Sequence, residues 1–334
     1  MKIIVPMAGR GTRLRPHTLT VPKPLIKIAG KPIVQRLVED LAAMSDEKIE
    51  EVAFVIGDFG KEVEASLLKI AENVGAKGTL YYQEKPLGTA HAVMCAKPSL
   101  QGNVVVAFAD TLFKADFKID RFQDGVIWVQ KVADPSQFGV VKINEFQEIT
   151  DFVEKPKTFV SDLAIIGIYY FKDGKKLADE VQYLYDNNIT ASGEFQLTAA
   201  LENMKKKGFK FVPGAVKAWL DCGNKDATVD TNKQYLEFIK QQPLIAENAK
   251  ITNSVIISPV FIGENVRIAD SVIGPHVSLG DGTEIYTSVI QNSIIQEKTI
   301  IKNANLSNSM IGSHVRYEGR AEDLSIGDYN VVKR

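Results

Sequence analysis

The chain has 334 residues, 45% of them hydrophobic and 24% charged, with 40 Lys and Arg against 41 Asp and Glu for a formal net charge of −1. Such a length passes the roughly 250–300 residues at which one core stops growing, so two domains are expected; the composition excludes collagen-like, disordered and disulfide-scaffold chains. Near-zero net charge gives no electrostatic case for nucleic acid or a membrane surface as partner. Cys95 and Cys222 are too few for a disulfide framework or a cysteine zinc site, and Cys222 reads as a small packed thiol. With no signal-like leader and no apolar run of about 18 residues, the expected location is the cytoplasm.

The first strand is expected at 3–5, and the stretch behind it, MAGRGTRLR at 7–15, carries two glycines and three arginines. No acidic residue precedes Glu39, whereas Lys2, Arg10, Arg13, Arg15, Lys23, Lys27, Lys31 and Arg36 do, so an anion is expected there. Glycine at the end of a strand lets backbone N–H groups approach phosphate oxygens, because no Cβ holds the ligand away. A dinucleotide fingerprint would need glycine where Leu14 stands, and no G-x-x-x-x-G-K-[ST] loop is present.

Further along, helical periodicity at 33–44, 62–71 and 91–97 alternates with apolar runs at 52–56, 80–83 and 104–109. This is the βαβ signature of an α/β, Rossmann-like, mostly parallel sheet with functional loops at the strands' C-terminal ends. Beyond 125 the runs at 126–132, 139–143, 149–154 and 163–171 read as antiparallel additions, with helices near 174–187, 194–206 and 226–241. From about 245 aliphatics recur every five or six residues, several opening phrases such as IGENV (262–266), IGPHV (273–277), LGDGT (279–283) and IGSHV (311–315). That pattern resembles the hexapeptide repeat of left-handed parallel β-helices, with about five coils fitting into 250–332. Two domains are therefore expected, 1–242 and 243–334, the second mediating homo-oligomerisation because open coil ends and flat faces need covering.

The motifs of the first domain resemble the sugar-1-phosphate nucleotidyltransferases, the nucleoside-diphosphate-sugar pyrophosphorylases. The resemblance rests on G-x-G-T-R-L at 9–14, Pro22-Lys23-Pro24-Leu25, Gly30-Lys31-Pro32, Gln83 with Leu87-Gly88-Thr89-Ala90, Asp110, Phe138-Gly139-Val140-Val141, Glu154-Lys155-Pro156, Gly193-Glu194 and Leu220-Asp221-Cys222-Gly223. It spans about 220 residues in the family's order, and an appended left-handed β-helix is similar to several of its branches.

The resemblance implies transfer of a nucleotidyl group from a nucleoside triphosphate to a sugar 1-phosphate, with pyrophosphate released. Such chemistry asks a protein for alignment and charge neutralisation more than covalent steps. By the same resemblance Ala8, Gly9, Gly11 and Thr12 hold the triphosphate, Arg13 stabilises the departing pyrophosphate and Lys23 bridges the reacting phosphates. Lys155 pairs with the sugar phosphate, Glu154 accepts from sugar hydroxyls and Gly139 lets backbone approach the hexose. Glu194 either holds the sugar or caps the following helix; Arg10 and Arg15 either focus the field or are solvated. Asp110 and Asp221 are the implied Mg²⁺ ligands, a metal typically held by one or two carboxylates plus substrate phosphates. Gln83 and Gly88 read the base, Gln83 with an amide donor and acceptor suited to a pyrimidine. The order of expectation is dTTP with glucose 1-phosphate, then UTP, then GTP with mannose 1-phosphate.

Departures from the family pattern are Pro6-Met7-Ala8, Arg10, and Ala109-Asp110-Thr111. Two rival readings are a hexapeptide acyltransferase using His276 or His314 as general base and a non-catalytic scaffold working through the β-helix.

Overall fold

The run Ile3-Ile4-Val5 is fully buried because strand β1 (Lys2–Pro6) lies in the middle of a sheet covered on both faces. In this computed structural model the described residues are 1–334 except 10, 116–117, 192, 321–323, 330 and 332–334. Contacts divide the chain into two units, one of Met1–Ile26 and Lys31–Ala227, the other of Lys27–Gly30 and Thr228–Arg334.

In the first unit, β1 pairs in parallel with β4 (Glu51–Ile56) on one side and β6 (Val104–Ala107) on the other, and β4 pairs in parallel with β5 (Lys77–Tyr82). In chain order the two-residue strands β2 (Lys27–Ile28), which belongs to the second unit, and β3 (Lys31–Pro32) come before helix α1 (Ile33–Met44). Helix α1 buries Ile33, Val34, Leu37, Val38, Leu41 and Met44, a stripe at helical spacing. Helix α2 (Lys61–Asn73) packs against β4 and β5, and α3 (Thr89–Cys95) packs against β1 and β4. Because the chain leaves β1 towards β4 and β5 and later returns on its other side as β6, the strand order reverses between β1 and β6. Crevices at such switch points, beyond the strands' C-terminal ends, bind ligands.

The strands that follow extend this sheet. β8 (Gly125–Lys131), β9 (Gly139–Ile143) and β10 (Ile149–Glu154) lead to β11 (Leu163–Phe171), which runs antiparallel to β6, β8 and β9. Helices α4 (Gly174–Asp186) and α5 (Leu197–Lys206) pack together, and α5 lies against β10. One expected strand is shorter than read from the sequence, and two pairings were not expected. The strand expected at 104–109 stops at Ala107, and Phe108 N instead donates to Gly167 O at 3.0 Å. A strand absent from the sequence reading, β12 (Phe211–Ala215), pairs with β8 in parallel and not antiparallel. A separate ribbon joins β7 (Thr111–Lys114) to β13 (Ala218–Asp221), antiparallel, with Asp221 opposite Thr111.

Helix α6 (Lys225–Ile239) leads into the second unit. That unit is a left-handed parallel β-helix of three sheets. One sheet stacks Lys250–Thr252, Arg267–Ala269, Glu284–Tyr286, Ile300–Lys302 and Arg316–Glu318, so five coils begin, while the other two sheets hold four strands each. Partners in register are 17 residues apart at Ile251–Ile268 and 16 apart at Ile285–Ile301. Ile268, Ile273, Ile285, Ile290, Ile295 and Ile301 fill its core. Coils are shorter than three full hexads because tight corners take non-glycine residues at positive φ, among them Asn253, Asp270, Thr287 and Asn303. Serine hydroxyls satisfy the backbone between coils: Ser271 N donates to Ser254 Oγ and Ser288 N to Ser271 Oγ, each at 3.0 Å. His276 and His314 are both corner residues, at φ 62° and 59°, and His276 Nε2 lies 2.7 Å from Glu237 Oε1.

Candidate active site

The loop after β1 is shaped by its glycines. Gly11 sits at φ 60°, ψ 38° and opens a single 3₁₀ turn, Thr12–Leu14, which is anchored by buried Leu14 and by Thr18 Oγ1 donating to Gly11 O at 2.8 Å. A Cβ on Gly11 would stand 2.8 Å from Lys23 Cβ, whereas one on Gly9 would meet nothing within 4 Å. Gly11 therefore lets Lys23 come close, and Gly9 borders open space in which a ligand's oxygens would meet backbone.

That space is a cavity of about 380 Å³ at the switch point between β1 and β6. Ala8, Gly9, Gly11, Thr12, Arg13, Lys23, Gln83, Gly88, Asp110 and Glu194 all line it. The described residue Arg15 does not, and Arg10 lies outside the described residues. Lys23 is 7% exposed, and its Nζ stands 3.7 Å from Asp110 Oδ2, whose side chain is 60% exposed. Asp221 is not in the cavity wall but is tied to it: Cys222 N donates to Asp110 O at 3.3 Å, and Gly223, which lines the cavity, donates its N–H to Asp221 Oδ1 at 2.8 Å. The β7–β13 ribbon thus brings the backbone at Asp221 and Cys222 next to that at Asp110 and Thr111, 111 positions away in the chain.

A second cavity, of about 450 Å³, is lined by Glu154, Lys155, Gln196 and again Glu194. Lys155 follows β10 at φ 41°, with its N–H held by Phe138 O at 3.1 Å. Gly139 faces Glu154 across β9 and β10; a Cβ there would lie 3.0 Å from Glu154 Oε2, so its missing side chain makes room for that carboxylate, which accepts from Thr198 Oγ1 at 3.1 Å. Buried Tyr169 feels a carboxylate from each cavity: burial first, then the charges of Glu154 and Asp110, push its hydroxyl well above the ordinary phenol range.

The segment expected to begin a helix at 194 is extended instead. Phe195 N donates to Leu87 O at 2.8 Å and Ala90 N to Phe195 O at 2.9 Å, so 194–196 zips onto the Leu87–Ala90 loop and α5 starts at Leu197. Glu194 does not cap α5; its Oε2 accepts from Gln196 Nε2 at 2.9 Å, while Gln196 Oε1 accepts from Thr89 Oγ1 at 3.3 Å. Gly88 is what permits the zipper. At φ 116°, ψ 177° it occupies a region open essentially to glycine, and a Cβ would fall 2.5 Å from Phe195 O. Gly88→Ala is expected to cost about 3 kcal/mol from the strained backbone and the clash; a thermal melt matching the parent's would refute that account.

Beside Gly88, Gln83 Nε2 donates to Gly88 O at 3.3 Å and lies 3.0 Å from His91 Nδ1. No described residue donates to its Oε1. His91 and Gln196 carry roles that the sequence does not single out, whereas Thr89 belongs to the Leu87-Gly88-Thr89-Ala90 motif. His91 directly follows that motif, but nothing local marks Gln196, which acts across 107 positions.

The family described as nucleotidyl transferase matches residues 2–238. A low-salt glycan biosynthesis nucleotidyltransferase of Haloferax volcanii, Agl11, is 29% identical over 265 residues, 76% of this chain and 72% of that one. A glucose-1-phosphate thymidylyltransferase of Streptomyces antibioticus is 30% identical over 285 residues, 78% of each chain. The bifunctional protein GlmU of Methanococcus maripaludis is 33% identical over 264 residues, 77% of this chain, which spans 60% of that relative's length. A crystal structure of a UDP-glucose pyrophosphorylase complexed with UDP-glucose superposes with a TM-score of 0.58 over 71% of this chain and 98% of the other, at 24% identity, which speaks to the fold alone. The match across 2–238 makes this chain a member of the nucleotidyl transferase family.

Proposed function

We propose that residues 1–242 form a sugar-1-phosphate nucleotidyltransferase, with dTTP and glucose 1-phosphate as its first substrates. The observation that carries this reading is the pair of cavities meeting at Glu194, one walled by Arg13 and Lys23 and the other by Lys155. A reaction between two phosphates needs two adjoining polyanion sites. In the proposed reaction an oxygen of the sugar phosphate attacks the α-phosphorus, a new P–O bond forms, the bond between the α-phosphorus and its bridging oxygen breaks, and pyrophosphate carries away the electron pair.

In this reading Gly9 and Gly11 present backbone N–H groups to the triphosphate, Arg13 neutralises charge gathering on the pyrophosphate, and Lys23 stands where both phosphates pass. Lys155 anchors the sugar phosphate, while Glu154 and Glu194 orient its hydroxyls. Among the described residues no three His, Cys, Asp or Glu gather to hold a metal alone. Asp110 and Asp221 suit Mg²⁺ nonetheless, since it takes hard oxygen ligands and completes its shell with phosphates and water. Bound there, Mg²⁺ would stabilise charge developing on phosphate oxygens.

The Gln83 acceptor suits the N3–H of thymine or uracil and opposes cytosine, whose N3 carries a lone pair. The thymidylyltransferase relative favours thymine, and UTP is the second reading because the Gln83 contact is blind to the 5-methyl group. The β-helix is proposed to serve assembly of identical chains. A panel of four triphosphates against several hexose 1-phosphates, scored by pyrophosphate release, tests the whole reading. Release is expected above all with dTTP or UTP and glucose 1-phosphate, and no release with any pair would overturn it.

A further inference from the structure

We infer that His91 is a positioning residue for base selection, holding the Gln83 amide in the orientation that offers the base a hydrogen-bond acceptor. The inference rests on the reading of the Gln83 cavity as the base site. The Gly88 carbonyl can only accept, so the Gln83 atom 3.3 Å from it is the amide nitrogen, whichever way the amide might otherwise be drawn. The remaining proton on that nitrogen points to His91 Nδ1 at 3.0 Å, which accepts it when unprotonated. Burial holds the His91 imidazole below its ordinary value, which favours the neutral ring.

The ring itself is held in place. Tyr185 lies against it with centroids 6.1 Å apart, and Tyr185 packs in turn on Phe195 at 5.3 Å, the residue whose backbone zips to Leu87 and Ala90. His91 is absent from the cavity wall whereas Gln83 is part of it, so any effect of His91 on the base passes through Gln83. With both protons of Gln83 Nε2 engaged, Oε1 is left to meet the ligand. Uracil and thymine bring an N3–H to that atom; cytosine brings a lone pair, and the contact becomes repulsive. Removing the His91 acceptor leaves one amide proton unpaired and lets the amide turn its nitrogen towards the base, which erases the distinction.

The test uses the full chain with saturating glucose 1-phosphate and measures kcat and KM for UTP, dTTP and CTP in three variants. His91→Phe keeps a ring for Tyr185 but has no acceptor; it should raise KM for UTP and dTTP about ten-fold, the size of one lost hydrogen bond, and lower the UTP-to-CTP ratio of kcat/KM by a similar factor, with little change in kcat. His91→Asn places its amide oxygen close to where Nδ1 stood and should restore both quantities. A merely structural role for His91 would not move the ratio. Wild-type KM and selectivity in His91→Phe, or His91→Asn behaving no better than His91→Phe, would overturn the inference. Gln83→Ala separates the two levels: if it keeps the parent's UTP-to-CTP ratio, the base-site reading falls and this inference with it. If Gln83→Ala loses the ratio while His91→Phe keeps it, only the role of His91 is refuted.

Discussion

Asp110→Asn is expected to lower kcat by about three orders of magnitude while leaving the protein as stable as before. The two halves of that expectation have separate grounds. Asp110 lies between β6 and β7 with a side chain 60% exposed, and its ion pair with Lys23 spans 3.7 Å, so the folded state gains little from it, on the order of 1 kcal/mol or less. For a chain of this size that corresponds to a melting shift of about 2 °C. Under the proposed function the same carboxylate helps fix a divalent cation against the triphosphate. Losing several kcal/mol of charge stabilisation at about 1.4 kcal/mol per decade gives a thousand-fold deficit. Asparagine is the fitting replacement because it keeps size and polarity and removes only the charge. Saturating-substrate kinetics across a Mg²⁺ titration, beside a thermal melt, is the measurement. Turnover within about ten-fold of the parent at every Mg²⁺ concentration would remove Asp110 from metal binding, and a large drop in melting temperature would mean that the carboxylate holds the fold.

How much of this architecture could be read beforehand depends on whether the information was local. Helix α1 spans 33–44, the same residues its apolar stripe marks, because a helix's burial pattern is written within its own turns. The β-helix was legible for a similar reason: its sequence period is its structural period, and Ile268, Ile285 and Ile301 stack because they recur at nearly equal spacing. The coil length came out at 17 and 16 residues and not 18, since corners such as Asp270 and Thr287 turn at positive φ in fewer residues than three full hexads supply.

What stayed hidden was pairing between distant segments. The β7–β13 ribbon joins Thr111–Lys114 to Ala218–Asp221, two four-residue strands too short for periodicity to flag, yet with the Cys222 N–H to Asp110 O bond it sets the backbone of Asp221 beside that of Asp110. Likewise the zipper of Phe195 onto Leu87 and Ala90 overrides a helical pattern that local reading extended back to 194. The glycines of the first loop were visible as glycines, but only the geometry separates their uses. Gly9 borders open cavity, whereas Gly11 yields its Cβ space to Lys23. Gln83 was recognisable by its motif, but which of its amide atoms is engaged depends on Gly88 O and His91 Nδ1 together.

Lys23→Met is expected to cut kcat by about a hundred-fold or more while the folded protein becomes no less stable. The lysine is 7% exposed over its whole residue, and its one ion pair among those described reaches an exposed carboxylate at 3.7 Å. A charge placed so is costly to bury, and that Coulombic contact offsets the cost poorly. Methionine fills nearly the same volume beside Gly11 without the charge, so the free protein should melt at the parent's temperature or slightly above it. Activity should move the opposite way, because in the proposed reaction a cation fixed beside both phosphates stabilises the negative charge passing between them. Lys23→Arg sharpens the point: it keeps the charge, but a planar guanidinium fork on a longer stem does not set its charge where the compact ammonium stands, so about ten-fold or more of the rate should still be lost. Kinetics and melting measured together separate the two accounts. A Lys23→Met variant that turns over within about three-fold of the parent would show that the lysine is spent on packing, and one that loses stability as well as activity would assign it to the fold.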